Sequence, residues 1–114
     1  MEVITSKVTA GIHLPQAGPA ASADAISDVA ELAESLGFQD VWVSDHLIIP
    51  ADAKYPPSAY IYEPLAVMAW VAAKTTKVKL GTTVLVLPMR NPIVVAKSLA
   101  SIDLLSSGRV ILGT

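Results

Sequence analysis

Hydrophobic and polar positions along the chain switch period at regular intervals, from strand-like runs to a helical repeat near 3.6 and back. Lys7 to Leu14 reads as a first strand, closed by the loop-forming run Pro15-Gln16-Ala17-Gly18-Pro19. Ser22 then offers an N-cap. Ile26, Val29, Ala30, Ala33 and Leu36 recur at helical spacing, and Gly37 stands where the helix should stop. A second strand follows over Phe38–Ser44, and after it a long loop holding Pro50, Pro56 and Pro57. Pro64 opens a second helix, where a missing N–H costs nothing, and Lys74 suits its C-terminal end. Val78 to Val84 reads as a third strand. Asn91-Pro92 repeats the cap-plus-proline start, and the third helix runs to about Leu105, before Ser106-Ser107-Gly108. Arg109 to Thr114 begins a fourth strand.

Strands alternating with helices imply right-handed crossovers and a parallel sheet, in the order one-two-three-four. The links are lopsided. Helix-to-strand connections are short, whereas strand-to-helix connections are long and irregular, as where a (β/α)8 barrel builds its site. No Gly-x-Gly-x-x-Gly follows strand one and no Gly-Lys-Ser/Thr loop occurs, which weakens the case for an open nucleotide-binding sheet. A complete four-stranded binding module would want a helix after strand four. The predicted fold class is therefore α/β, a partial (β/α)8 TIM barrel of strands one to four with three helices on the convex face. Residues 1–114 form the N-terminal, incomplete half of that barrel domain.

Composition narrows the function classes. Hydrophobic residues make up 53% and charged residues 16%, which excludes disorder. A net charge of −2 without a basic run gives a nucleic-acid backbone nothing to bind. The absence of cysteine excludes disulfides and thiolate metal sites, and no metal is expected. Met1 to Lys7 lacks the basic and apolar regions of a signal peptide. The longest apolar run, Leu65 to Ala73, falls far short of the roughly 20 residues of a membrane span. A cytoplasmic protein with no membrane partner is expected.

The chemistry concentrates in Val41-Trp42-Val43-Ser44-Asp45-His46, a strand ending in a carboxylate and an imidazole. His46 suits proton transfer, accepting an alcohol proton as hydride leaves or stabilising an oxyanion; the plainer alternative is a loop histidine bonded to its own turn. Asp45 serves as readily as a loop cap. His13 reads as a packed, satisfied strand-end histidine, and Trp42 as core between strand and helix. Thr82 and Thr83 alone are ordinary β-branched strand residues. Tyr55, Tyr60 and Tyr62 either line a pocket or anchor the long loop.

Four segments taken together resemble one family. They are Gly11-Ile12-His13-Leu14-Pro15-Gln16, Trp42-Val43-Ser44-Asp45-His46, the run from Leu80 to Pro92, and Ser107-Gly108-Arg109-Val110-Ile111-Leu112-Gly113. In this order they resemble the luciferase-like monooxygenase superfamily, most of all its deazaflavin-dependent oxidoreductase branch. His13 departs from the large apolar residue expected there. The resemblance implies a (β/α)8 barrel that passes hydride between a flat ring and a small-molecule substrate. The ring is coenzyme F420, a deazaflavin, or alternatively FMN. His46 matches the histidine beside the reactive face, and Asp45 the neighbouring acid that contacts the cofactor. Thr83-Val84 matches a strand-three bulge that often carries a non-prolyl cis peptide behind the ring, and the backbone near Val86 continues that edge. The family's phosphate-tail contacts and second acid would lie past Thr114.

The alternative function is a truncated, non-catalytic half-barrel that only associates with itself or a partner chain. Association is expected in either case. Helix two is apolar all round, and helix three carries Ile93, Val94, Val95, Leu99, Ile102, Leu104 and Leu105. One stripe of each helix would stay wet in a monomer, so a homodimer through helices two and three is expected, as the resemblance also implies.

Overall fold

A computed structural model describes residues 8–56, 58 and 60–114. Lys7, the expected start of the first strand, and the segment read for a signal peptide lie outside the described residues. The three helices form where their caps predict. In α1 (Ala23–Ser35) the Ser22 hydroxyl accepts the Ala25 N–H at 3.0 Å. Gly37, at φ +84°, turns the chain out, and the Phe38 N–H returns to the Ala33 carbonyl at 3.0 Å. Helix α2 (Pro64–Lys74) is capped by the Glu63 carboxylate on the Ala66 N–H, and α3 (Pro92–Leu105) by the Asn91 side chain on Ile93 and Val94.

Strands β1 (Gly11–His13), β2 (Asp40–Val43), β3 (Lys79–Thr82) and β4 (Val110–Ile111) pair in parallel, in the order β1-β2-β3-β4. All four are shorter than their apolar runs predict. The apolar pattern outlasts the paired register, and single bonds such as Leu14 N–H to the Trp42 carbonyl and Thr83 N–H to the Val43 carbonyl carry the backbone past each strand end. A 3-10 turn over Leu87–Met89, not foreseen from sequence, lies between β3 and α3. The helices cover one face of the sheet. Val41, Val43, Val78 and Leu80 meet Ile26, Ala30 and Ala33 of α1 and Val67, Met68 and Val71 of α2 there, all buried. Each larger side chain removed from water contributes about 1.5–3 kcal/mol. The result is a four-stranded parallel sheet with its helices on one face, the arrangement of part of a (β/α)8 barrel.

Trp42 corrects its expected place. It alternates with Val41 and Val43 and so lies on the other face of the sheet, the barrel's inner side. Its indole spreads across two strands that carry no side chain beneath it: a Cβ on Gly11 or Gly81 would overlap the ring. Gly81 stands opposite Trp42 in the β2–β3 register. Gly81→Ala should therefore lower stability by about 1–3 kcal/mol through overpacking. Equal urea midpoints for variant and parent would remove this reason for the glycine.

A buried arginine and a half-buried glutamate lock the strand N-terminal side. Arg109 donates to the carbonyls of Ala72, Thr75, Val78 and Ser106 and to the Thr75 hydroxyl, at 2.7–2.9 Å, closing the end of α2. Burial lowers its pKa, with the Glu34 charge opposing the shift. The Glu34 carboxylate collects the N–H groups of Thr76, Lys77 and Val78. Burial works against its charge, but these donors prevail and hold the carboxyl below its ordinary range. The opposite strand ends are left to the loops.

Candidate functional site

Three strand ends meet on the C-terminal side of the sheet. Gln16, fully buried after β1, organises them. Its side-chain amide donates to the carbonyls of Ser44 and Tyr62, at 3.0 and 2.9 Å, and its Oε1 accepts the Ser44 N–H at 2.6 Å. The Tyr62 N–H closes on the Gln16 carbonyl, and Ala17 bridges Ile61. One side chain thus ties the end of β2 to the far end of the long loop.

The β2 alternation decides what Asp45 and Ser44 do. Asp45 follows Val41 and Val43 toward the helices, and its side chain is wholly buried. Its oxygens receive Arg90 Nε and Nη2, both at 2.8 Å, and the Val86 N–H at 3.0 Å. Arg90 reaches on to Glu63 at 2.8 Å, an ion pair outside hydrogen-bond alignment. Burial pushes the Asp45 carboxyl up, but Arg90 and the Val86 amide outweigh it and hold the carboxyl below the usual range. The same contacts raise the Arg90 pKa. Both Asp45 oxygens are thus engaged within the protein, where they fix the backbone at Val86.

Ser44 follows Trp42 to the inner face. Its hydroxyl lies 2.8 Å from His13 Nε2 and 3.4 Å from the Thr83 carbonyl. His13 also bonds the Leu14 carbonyl through Nδ1 at 3.0 Å, so both its nitrogens are matched, although the residue is exposed rather than packed. His46 is half-buried just past Ser44 and meets Tyr55 edge-on, ring centroids 6.3 Å apart. Past the end of β3 the Thr83–Val84 peptide is cis. Val84 is 50% exposed, and Val86 half-buried. His46 follows β2 and Thr83, Val84 and Val86 follow the neighbouring β3 at the same end of the sheet, while the Asp45 side chain holds Val86 from the helix side.

Tyr60 and Tyr62, with Gly18, Pro19 and Ile61, line a groove of about 550 Å³ where the first and second loops run together. Among the described residues no three His, Cys, Asp or Glu side chains gather as a metal site. No described helix is long and apolar enough to cross a membrane.

Sequence reasoning passed over Gln16, Arg90 and Glu63. Gln16 stands 28 and 46 positions from its partners, and Arg90 stands 45 from Asp45. The available signal was a lone arginine after the apolar run of strand three, available to the acid at the end of strand two.

The sequence and fold match a known family. The luciferase-like monooxygenase profile matches residues 3–114. The chain belongs to the luciferase-like monooxygenase family. Within it, the F420-dependent glucose-6-phosphate dehydrogenase of Kineococcus radiotolerans is 42% identical over 90 residues, covering 77% of this chain and 25% of the relative. The coenzyme F420-dependent tetrahydromethanopterin reductase of Methanopyrus kandleri superposes with a TM-score of 0.73 at 28% identity, over 94% of this chain and 26% of its own. A type II Baeyer-Villiger monooxygenase from Pseudomonas putida, in complex with FMN, superposes at 0.68 with 25% identity, over 91% and 28%. This luciferase-like chain spans about a quarter of the length of these relatives.

Proposed function

We propose that the chain is the ring-binding front of a cytoplasmic (β/α)8 oxidoreductase that transfers hydride between coenzyme F420 and a small organic substrate, with His46 as the proton-transfer group. The observation that carries this reading is a half-buried His46 past the end of β2, with exposed Thr83 and Val84 past the end of the neighbouring strand β3. A flat ring needs an apolar shelf, a backbone edge for its heteroatoms and a proton-transfer group near its reactive face. Val84 supplies the shelf, the Thr83–Val86 backbone the edge, and His46 the imidazole. The bound deazaflavin would supply hydride chemistry. His46 takes or returns the substrate proton at its free ring nitrogen, and Asp45 acts by holding Val86 through the N–H it accepts. FMN fits the same shelf, and the FMN-bound relative supports it as the alternative.

In such barrels the phosphate-bearing part of a ligand is held after strands seven and eight. The chain alone should therefore bind the ring weakly, above the micromolar range. Titration with F420 and then FMN, followed by amide NMR, should move the signals of Val84, Val86 and His46 at millimolar ligand. Shifts confined to other surfaces would overturn the ring site. A sub-micromolar dissociation constant would overturn the reading of the chain as part of a larger barrel.

The exposed stripe of α2 and α3 supports self-association as part of the same reading. Ile93 and Leu105 of α3 are 79% and 80% exposed, and Leu105 and Val94 line a groove of about 520 Å³ between the two helices. Trp70, expected on this surface, turns to α1 and donates its indole N–H to the Ser27 hydroxyl at 2.8 Å. Leu99, also expected there, packs against the core instead. A two-fold pair of chains would cover the stripe. Sedimentation at tens of micromolar should show a dimer, and Ile93→Glu with Leu105→Glu should return a monomer. A monomeric parent chain would refute the pairing.

A further inference from the structure

We propose that His13 and Ser44 form a proton-controlled relay onto the Thr83 carbonyl, which makes His13 a positioning residue for the β3 edge. The argument is a count of hydrogens. His13 Nδ1 faces a carbonyl, Leu14 O, at 3.0 Å, so Nδ1 carries a proton in either charge state. In the neutral ring Nε2 is then an acceptor, and its partner at 2.8 Å, the Ser44 hydroxyl, must donate to it. Ser44 has one hydroxyl proton. While that proton serves His13, the Thr83 carbonyl, 3.4 Å from the same oxygen, receives nothing from Ser44.

Protonating His13 reverses the first bond. Nε2–H becomes the donor, the Ser44 oxygen becomes the acceptor, and the hydroxyl proton is released toward Thr83. One proton taken up at His13 thus appears as one new hydrogen bond at the Thr83 carbonyl on the neighbouring strand. His13 is exposed and exchanges protons with solvent directly. The other charged or titratable groups placed along these strands are Asp40 and Lys79 toward their N-terminal ends, Asp45 directly after Ser44, paired with Arg90 on the helix side, and His46 beyond it. The relay stands on these contacts alone. Its effect on a bound ring rests on the function proposed above.

The test needs no cofactor, so its failure and the failure of the ring site are distinguishable. In the chain, the Thr83 carbonyl ¹³C and Val84 amide ¹⁵N shifts should follow pH with the midpoint of the His13 ring. In Ser44→Ala, His13 should still titrate while the Thr83 and Val84 response is lost, and Ser44→Thr should restore it. Gln16 holds Ser44 through its backbone, so these variants keep the loop anchored. The His13 ring ¹⁵N shifts should show the Nδ1–H tautomer when neutral. A Thr83 signal that stays flat while His13 titrates would overturn the relay. So would a response that survives Ser44→Ala, one that disappears in His46→Gln, or an Nε2–H tautomer.

Discussion

Asp45→Ala is expected to destabilise the chain by about 3 kcal/mol, the lower end of the cost of breaking a buried ion pair. The substitution strips Arg90 of its two 2.8 Å hydrogen bonds to Asp45 and leaves the Val86 N–H without its acceptor. Glu63 stays beside Arg90, but its side chain is 38% exposed, so it offsets only part of the loss. Asp45→Asn, which keeps one acceptor oxygen, should fall between the two. Urea unfolding measures the difference, and a change under about 0.5 kcal/mol would place the pair among ordinary surface contacts. The pair also sets a pH dependence. Because the folded Asp45 pKa is depressed, the unfolded chain takes up this proton first as pH falls. The stabilisation is complete above the ordinary aspartate value of about 4 and is lost as pH drops through the folded value. Asp45→Asn should flatten that acid limb and leave the pH dependence near neutrality unchanged.

His46→Ala, made in a full-length barrel carrying this segment, is expected to lower turnover about 10²–10⁴-fold. Cofactor affinity should change far less, because the shelf at Val84 and the backbone at Val86 do not depend on the imidazole. Steady-state kinetics beside a ring-binding titration separate the two effects. Loss of turnover together with loss of ring binding would make His46 a binding group. Parental turnover would end its assignment to proton transfer.

The helices were legible because their signals are local. Ser22, Pro64 and Asn91-Pro92 each mark a start within a turn of the residues they cap, and Gly37 marks an end. Strand order followed from the short returns. Strand ends did not, since apolar residues continue past the last paired backbone. Trp42 was misplaced although its alternation with Val41 and Val43 sets it on the opposite face; the room for an indole there comes from Gly11 and Gly81, on the two flanking strands and far away in sequence. The strand-end position of His46 was legible from its own segment. The supports of the site, Gln16 and Arg90, were not, because their partners lie tens of residues away and no short spacing encodes them.

The double grip of Gln16 on Ser44 and Tyr62 has a consequence for how such a protein diversifies. The segment between those two residues starts and finishes on a single buried amide. Its middle is therefore a cassette, free to lengthen, shorten or change composition beyond His46 while its ends stay in register. Doubling a flexible loop costs only about 0.6 kcal/mol in closure entropy. Exchanging this cassette among relatives would vary which molecules reach the imidazole, with the β2 and β3 edges left in place.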